Sequence, residues 1–549
     1  MISSDRNSRG FALAQTRPSP MRHMTTPGRR ALRFAAIVLG LTLAGCGSAG
    51  GPAATSSDYD ETRDMFVTGM TDIDAVYIDR VDLGKLTVAG LEHLSALDST
   101  VKLDRTGSEV RLAVAGKETA RFEAPGADQA TDWGALAAGY VEAAEAASPA
   151  IAKAGPEKIY ETVFNGIVGE LDGFSRYAGT VAADENRASR EGFGGIGVRI
   201  AVADGKVRVV SVMKYTPAQR IGVRADDEIA AIDGDPVAGL DQNQVVDRLR
   251  GPIDSDVSLT VVRPGVPEPL VLHMSRAHII PETVVYEREG DAAYVHLFGF
   301  NTDTAESLER EISEAEQEIG PRFAGLVLDL RDNPGGLLDQ AVEVSDLFLE
   351  EGRIVSTHGR HPDSHQYFEA TSGDVLDRRP MVVLVNGNSA SASEIVAAAL
   401  QDTGRAVVVG SNSFGKGTVQ TVLRLPNNGE LTLTWARFHA PSGYTLNKLG
   451  VLPTVCTSGR RAADVFADLS RDRLKPVPVV QRNAVEPGDI AAMDRLRADC
   501  PQVKDEPNAD LDFALQLIHA PKLYDRALAL GGAPTLTVSS EPIVGEAAP

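Results

Sequence analysis

The sequence predicts a mixed α/β protein: a layered α/β core over residues 278–455, a module of short strands inserted before it at 186–277, and mostly helical regions at 59–180 and 456–549. Three observations carry this. After residue 290, apolar strand-like runs alternate with amphipathic helical stretches, the pattern of an α/β layered core. Residues 192–276 break into short alternating segments bounded by turn residues. Upstream, Leu91, Leu94 and Leu97 recur at helical spacing and an Ala-rich stretch runs from Leu136 to Ala152.

At 549 residues, with 43% hydrophobic and 24% charged side chains, the chain has room for several domains and a sizeable core. Its beginning is different in kind. Arg29, Arg30 and Arg33 precede the apolar run Phe34 to Ala44, which is too short to span a bilayer as a mature helix but suits a signal-peptide core. Leu43-Ala44-Gly45-Cys46 closes the run and resembles the lipobox of bacterial lipoproteins, in which the Cys becomes the acylated first residue. Residues 1–45 therefore read as a lipoprotein signal peptide, with translation starting at Met1, Met21 or Met24, and the Gly/Ala/Ser-rich residues 46–58 as a flexible tether. Removing residues 1–45 takes away seven Arg and one Asp, leaving 47 basic against 75 acidic side chains, a net charge of −28. Such a surface argues against nucleic-acid binding. Cys456 and Cys500 remain, and outside the cytoplasm an even pair is most simply a disulfide, two buried thiols being the alternative.

Beyond the tether the helical region carries one small hairpin at Val110 to Val114. The inserted module has strands at Gly197 to Val202, Lys206 to Val212, Glu228 to Ile232, Val257 to Val262 and Pro269 to Met274, with a helix at Asp241 to Leu249; its size and order are those of a PDZ domain. The core follows with strands at Ala293 to Leu297, Ala324 to Leu330, Met381 to Val385 and Ala406 to Gly410, and helices at Thr304 to Gln317, Leu337 to Leu349 and Glu394 to Leu400. Past Pro453 the segments Leu511 to His519 and Tyr524 to Leu530 read as helical, without a functional signal.

The chemistry concentrates at Ser391, in Asn388-Ser389-Ala390-Ser391-Ala392-Ser393-Glu394, and at Lys416, in Phe414-Gly415-Lys416-Gly417. A hydroxyl at a strand-to-helix junction lies beside unpaired helical N–H groups that stabilise an oxyanion. A lysine serves as its base only when neutral, which requires burial. The rival motifs are weaker. Gly410 to Lys416 nearly matches a phosphate-binding P-loop, but Gly417 stands where a Mg²⁺-binding Ser or Thr belongs and an extended segment, not a helix, follows. Gly192-Phe193-Gly194-Gly195-Ile196-Gly197 matches a dinucleotide fingerprint in letters only, since no apolar strand precedes it and a strand follows; a glycine loop entering an edge strand suits a peptide's terminal carboxylate instead. Ser211 to Lys214 fits SxxK without its Lys-Thr-Gly partner, and Gly387 to Ser391 lacks the second Gly of a hydrolase elbow. His358, His361 and His365 read as solvated surface, so no metal is implied.

The ordered set Leu171-Asp172-Gly173-Phe174-Ser175-Arg176-Tyr177, Phe193 to Gly197, Thr216-Pro217-Ala218, Leu328-Asp329-Leu330-Arg331-Asp332-Asn333-Pro334-Gly335-Gly336, the Ser391 cluster, Lys416 to Gln420 and Pro441-Ser442-Gly443 resembles the C-terminal processing peptidases, also called tail-specific proteases. These are PDZ-containing serine peptidases. The resemblance covers roughly residues 160–455 and implies a crotonase- or Clp-protease-like layered core. It implies a Ser391/Lys416 dyad with Gln420 orienting the lysine, an oxyanion hole from Gly335, Gly336 and Ala392, and a carboxylate loop at Gly194, Gly195, Ile196 and Gly197. Gly173-Phe174 departs from the family's usual Pro-His, Thr454 from its usual Asp, and residues 100–155 look like an insertion.

The expectation is an exported, membrane-anchored serine endopeptidase on the periplasmic side of a bacterial envelope. It needs no cofactor, captures protein substrates by apolar C-terminal tails, and is open to an adaptor protein or to homo-oligomer formation. The alternative is a catalytically idle PDZ lipoprotein acting as a tail-binding scaffold, against which the complete Ser391, Lys416 and Gln420 set argues.

Overall fold

A computed structural model describes residues 56–371, 373–486, 488–503 and 508–532. The signal segment 1–45, Cys46 and the tether through residue 55 lie outside them. Helix Ser56–Val76 takes up the last three residues of the expected tether.

Two sheets position the site. The first runs, in spatial order, Val284–Glu289, Ala292–Leu297, Gly325–Asp329, Met381–Val385, Val407–Gly410 and Val455–Cys456, antiparallel at its first pair and parallel thereafter. Met381–Val385 and Val407–Gly410 are buried along their whole length, as strands covered on both faces are. On one face, Leu326, Leu328, Val383 and Val385 pack with helices Thr304–Ile319, Leu338–Asp346 and Ala392–Asp402. On the other, Val327, Val382, Leu384, Val407 and Val409 pack with Phe513, Ala514 and Leu517 of helix Ala509–Ile518 and with Tyr524 and Ala527 of helix Pro521–Leu530. Helices Ala509–Ile518 and Pro521–Leu530 are thus a third layer of the core.

The second sheet is antiparallel, in the order Gln366–Glu369, Arg353–His358, Glu430–His439 and Thr418–Arg424, with the short strand Arg176–Ala178 also pairing to Glu430–His439. Its Leu425, Leu431 and Leu433 close over the N-terminal helical region. Where the sequence predicts a hairpin there, the chain forms a three-stranded meander, Val101–Thr106, Glu109–Val114 and Lys117–Glu123. Both outer strands are largely exposed and charged, so they show little apolar alternation.

The inserted module has a sheet in the order Leu270–Ser275, Asp256–Val262, Glu228–Ile232, Lys206–Val212 and Val198–Ala203, with helix Gln242–Leu249 started by a reciprocal Asp241/Gln244 capping box. Phe193–Gly195 pairs with Ala277–Ile279, so entry and exit of the insertion meet in one two-stranded stem. Residues 186–191 belong not to this module but to helix Thr180–Glu191. Arg187 and Arg190 of that helix pair with the buried Glu430 at 3.1 and 2.6 Å, which fixes it against the second sheet.

Candidate active site

Ser391 ends the turn that leaves Met381–Val385 and begins helix Ala392–Asp402, with φ at +58°. A non-glycine residue in that left-handed region is strained by roughly 1–3 kcal/mol and persists only where its surroundings over-determine it. They do so here. The N–H of Ala390 donates to the Asn333 carbonyl at 3.0 Å, the Ser393 hydroxyl donates to that carbonyl at 2.8 Å, and the Ser391 N–H donates to Glu394 Oε2 at 2.9 Å. The neighbouring serines are structural: Ser389 and Ser393 are fully buried, and Ser389 Oγ donates to the Leu330 carbonyl at 2.8 Å while accepting the Asn386 N–H at 2.9 Å. Of the three hydroxyl side chains, that of Ser391 opens onto a cleft.

Pro334-Gly335-Gly336 lies against this turn. A Cβ on Gly335 would stand 2.8 Å from Ser391 Cβ and 2.9 Å from the Ala392 nitrogen, and one on Gly336 would stand 2.1 Å from the Phe300 carbonyl oxygen. Only glycine fits at either position. The Gly335 N–H, expected as an oxyanion donor, is spent on Asn333 Oδ1 at 2.8 Å, while Asn333 Nδ2 donates to the Leu297 carbonyl at 2.7 Å. Gly336 and Ala392 then supply the N–H groups that flank Ser391 without another partner among the described residues.

Lys416 comes from the loop between the two sheets, just before Thr418–Arg424. It is half-buried and opens, with Ser391, Ala392, Gly336 and Gln420, onto one cleft of about 310 Å³. Burial pushes its amine below the ordinary lysine range, and the Arg176 guanidinium pushes the same way, against the opposing pull of Glu394 and Asp172. Its Nζ lies 5.2 Å from the centroid of the Phe174 ring, so one departure noted in the sequence sits directly at the amine. The family resemblance gives Gln420 an orienting bond to Lys416. Here its amide nitrogen donates instead to Thr418 Oγ1 and Thr434 Oγ1, at 2.9 and 3.2 Å: Thr418 lies two residues earlier on the same strand face, and pairing with Glu430–His439 puts Thr434 opposite Gln420. No hydrogen bond joins Gln420 or Ser391 to Lys416 in this arrangement.

Glu394 is the residue that sequence reasoning missed. It is fully buried, and its carboxylate accepts the Ser391 N–H, the Lys416 N–H at 2.9 Å, the Gly415 N–H at 2.7 Å and the Ser413 hydroxyl. Burial raises its pKa above the usual carboxylate range, against the pull of those donors. The signal was present: Ser391-Ala392-Ser393-Glu394 spells a capping box.

In the module, Gly195, Ile196 and Gly197 border a groove of about 190 Å³ between strand Val198–Ala203 and helix Gln242–Leu249, while Gly194, expected with them, does not line it. The carbonyls of Gly194, Ile196 and Gly197 accept from the Gly251, Ala218 and Met213 N–H groups, and Gly197 has φ at +82° with Thr216 only 2.3 Å from where a Cβ would be. Arg250, also missed in sequence, lays its guanidinium 4.1 Å from the Phe193 ring centroid at this groove, with a buried Nε that has no partner among the described residues. Elsewhere, Cys456 and Cys500 form a disulfide. His358 and His365 bring their Nδ1 atoms within 3.3 Å, and His361 accepts from the Asp363 N–H. Lys214 pairs on the surface with Glu311 and Glu314.

The fold and cleft define a serine peptidase core with an inserted tail-binding module. Residues 291–457 match the model of peptidase family S41, and residues 194–272 match a PDZ domain. The chain is 43% identical over 301 residues to the carboxy-terminal-processing protease of Bartonella bacilliformis, covering 54% of this chain and 69% of that protein. It is 33% identical over 312 residues to the carboxy-terminal processing protease CtpB of Bacillus subtilis, covering 56% and 64%. Among solved structures, the photosystem II D1 C-terminal processing protease covers 73% of this chain and 92% of its own, at 25% identity and a TM-score of 0.36. The chain belongs to the carboxy-terminal-processing serine proteases of peptidase family S41.

Proposed function

We propose that this protease hydrolyses its substrates with Ser391 as nucleophile and neutral Lys416 as general base. The observation that carries this is the shared cleft: an accessible hydroxyl at a helix N-terminus and an amine held below its ordinary pKa open onto the same space. Ser391 Oγ attacks the scissile carbonyl carbon as its proton passes to Lys416 Nζ. The oxyanion that forms is received by the N–H groups of Gly336 and Ala392. Collapse of the tetrahedral intermediate breaks the C–N bond as the leaving amine takes the proton from Lys416; water, deprotonated by Lys416 Nζ, then attacks the acyl-enzyme, and that proton passes to Ser391 Oγ as its bond to the acyl carbon breaks.

Substrate choice resides in the PDZ groove. The tail's terminal carboxylate meets the Gly195 to Gly197 loop and Arg250, and its last apolar side chain enters beside Ile196, Val246 and Leu249. Upstream, Arg-flanked Phe34 to Ala44 and the Leu43-Ala44-Gly45-Cys46 tetrapeptide support export and acylation at Cys46, and with them the reading of the enzyme as a membrane-anchored lipoprotein on the periplasmic side.

The test is cleavage of one unstructured polypeptide ending in a free apolar tail, an amidated apolar tail or an Asp tail. The free apolar tail is expected to be cut fastest, and equal rates for all three exclude tail selection by the module. Cys46→Ser is expected to abolish labelling by fatty acid; label retained on that variant excludes acylation at Cys46.

A further inference from the structure

The loop that carries Lys416 has no secondary structure of its own between Ser411 and Gly417, yet the amine it bears must be placed to within a fraction of an ångström. Part of what holds it comes from beyond the peptidase match. The chain leaves the first sheet at Cys456, runs through helices Ala462–Ser470, Val479–Asn483 and Ile490–Arg497, and returns to Cys456 through the disulfide at Cys500. This closed excursion reaches the serine helix Ala392–Asp402 directly at its C-terminal end and through Ser413 at its N-terminal end. At its C-terminal end Arg482 pairs with Asp402 at 2.8 Å, both fully buried. At its N-terminal end the excursion delivers Arg497.

Arg497 Nη1 donates to the Leu449 carbonyl at 2.5 Å and Nη2 to the Ser413 carbonyl at 3.0 Å, joining two irregular loops with one guanidinium fork. Behind it, Asn412 Nδ2 donates to the Arg497 carbonyl at 2.5 Å and the Asn412 N–H to the Cys500 carbonyl at 3.2 Å. Ser413, whose carbonyl Arg497 holds, donates its hydroxyl to Glu394 Oε1 and accepts the Val451 N–H at 2.7 Å. Glu394 in turn holds the N–H groups of Gly415, Lys416 and Ser391. A continuous path of hydrogen bonds therefore leads from the disulfide to both members of the dyad.

We propose that Arg497 is a positioning residue for proteolysis: its guanidinium, brought in by the disulfide-closed excursion, fixes the Ser413–Lys416 turn and so aims the lysine at Ser391. The assignment rests on the Ser391/Lys416 reading. It does not involve substrate capture, since the PDZ groove is formed by other residues. Removing Arg497 loosens the turn and admits water to the amine, which moves Lys416 towards its ordinary, protonated state. Arg176, Asp172, Glu394 and the Phe174 ring, the groups that bear on the amine, stay in place.

The experiment uses the full chain and an unstructured polypeptide with a free apolar tail, comparing wild type, Arg497→Met, Arg497→Lys, the double variant Cys456→Ser/Cys500→Ser and Lys416→Ala. Arg497→Met is expected to lower kcat roughly 10- to 100-fold, the scale of a small misplacement of a reacting group, with KM unchanged. The midpoint of the alkaline rise in kcat/KM should move to higher pH. Arg497→Lys should recover part of the loss, because an ammonium reaches one carbonyl but lacks the fork. A folded Arg497→Met protein with wild-type kcat and pH profile overturns the proposal. If that variant does not fold, the double cysteine variant decides: a kcat loss at constant KM supports positioning by the excursion, and wild-type kcat overturns it. Activity in Lys416→Ala removes the dyad reading itself, and the inference with it.

Discussion

The backbone N–H of Ser391 and the backbone N–H of Lys416 donate to one oxygen of Glu394, each at 2.9 Å. Ser391, the proposed nucleophile, follows a strand of the first sheet, and Lys416, its proposed base, leads into a strand of the second. One buried carboxylate sets the distance between their main chains. Glu394→Gln keeps the volume but turns one acceptor into a donor facing N–H groups. The expected outcome is at least a hundredfold loss of kcat and a destabilisation of about 1–3 kcal/mol, the cost of leaving buried donors unsatisfied. Steady-state cleavage and urea unfolding of the same preparation check both parts.

The three serines of the cluster separate by burial. Ser391→Ala should be inactive and fully folded. Ser389→Ala and Ser393→Ala should keep the chemistry; Ser389→Ala should lose about 1–3 kcal/mol because it leaves the Asn386 N–H without its acceptor, and Ser393→Ala about 0.5–1.5 kcal/mol, because the Asn333 carbonyl still accepts the Ala390 N–H. Denaturation midpoints and residual kcat distinguish the two classes. Loss of activity in a well-folded Ser393→Ala protein contradicts the assignment.

Much of this was legible in the sequence, and the boundary is instructive. Ser391 and Lys416 stand out because glycines and small residues surround them at strand ends, and the strand pattern on either side is strong. Glu394 was legible only as a helix cap; that its carboxylate reaches across to Gly415 and Lys416 depends on how the lysine loop folds back, which no local pattern encodes. The use of the Gly335 N–H by Asn333 and of the Gln420 amide by Thr418 and Thr434 depends likewise on side-chain rotamers and cross-strand register. The outer helices Ala509–Ile518 and Pro521–Leu530 were legible as helices, but not as a layer of the core, because their apolar faces make sense only once the sheet beneath them is known.

The alkaline rise of kcat/KM reports the loss of a proton from Lys416, and its midpoint is expected below the ordinary lysine value because burial disfavours the ammonium form. Phe174 divides two effects at that amine. Phe174→Ala admits water and should move the midpoint up, whereas Phe174→Leu keeps water out but removes the ring's attraction for a cation and should move it down. Movement of both variants in the same direction contradicts the placement of the ring.

The same depressed pKa has a stability sign. The folded state sheds the Lys416 proton at lower pH than the unfolded chain does, so stability rises with pH between the folded and unfolded values, and below both the protein carries the full cost of the desolvated charge. Lys416→Met should therefore be inactive yet melt a few degrees higher than wild type at neutral pH, with the gap narrowing towards the unfolded lysine value. Thermal melts across that range test it, and a lower melting point at neutral pH counts against it.

At the PDZ groove, Arg250→Met should weaken binding of a free-tailed peptide by about 1.5 kcal/mol, roughly tenfold, while leaving an amidated peptide unaffected. Equal losses for the two peptides, measured by calorimetry on the Ser391→Ala protein, indicate that Arg250 shapes the groove rather than meeting the carboxylate.

The pairing of Ser391 with Lys416 is tested most directly by labelling with a fluorophosphonate, which phosphonylates only an activated serine, followed by mass spectrometry of the peptides. Wild-type protein should carry one adduct, on Ser391, and the rate of labelling should fall by at least a hundredfold in Lys416→Ala and Lys416→Arg. An adduct on another serine, or undiminished labelling of Ser391 in the lysine variants, contradicts the dyad.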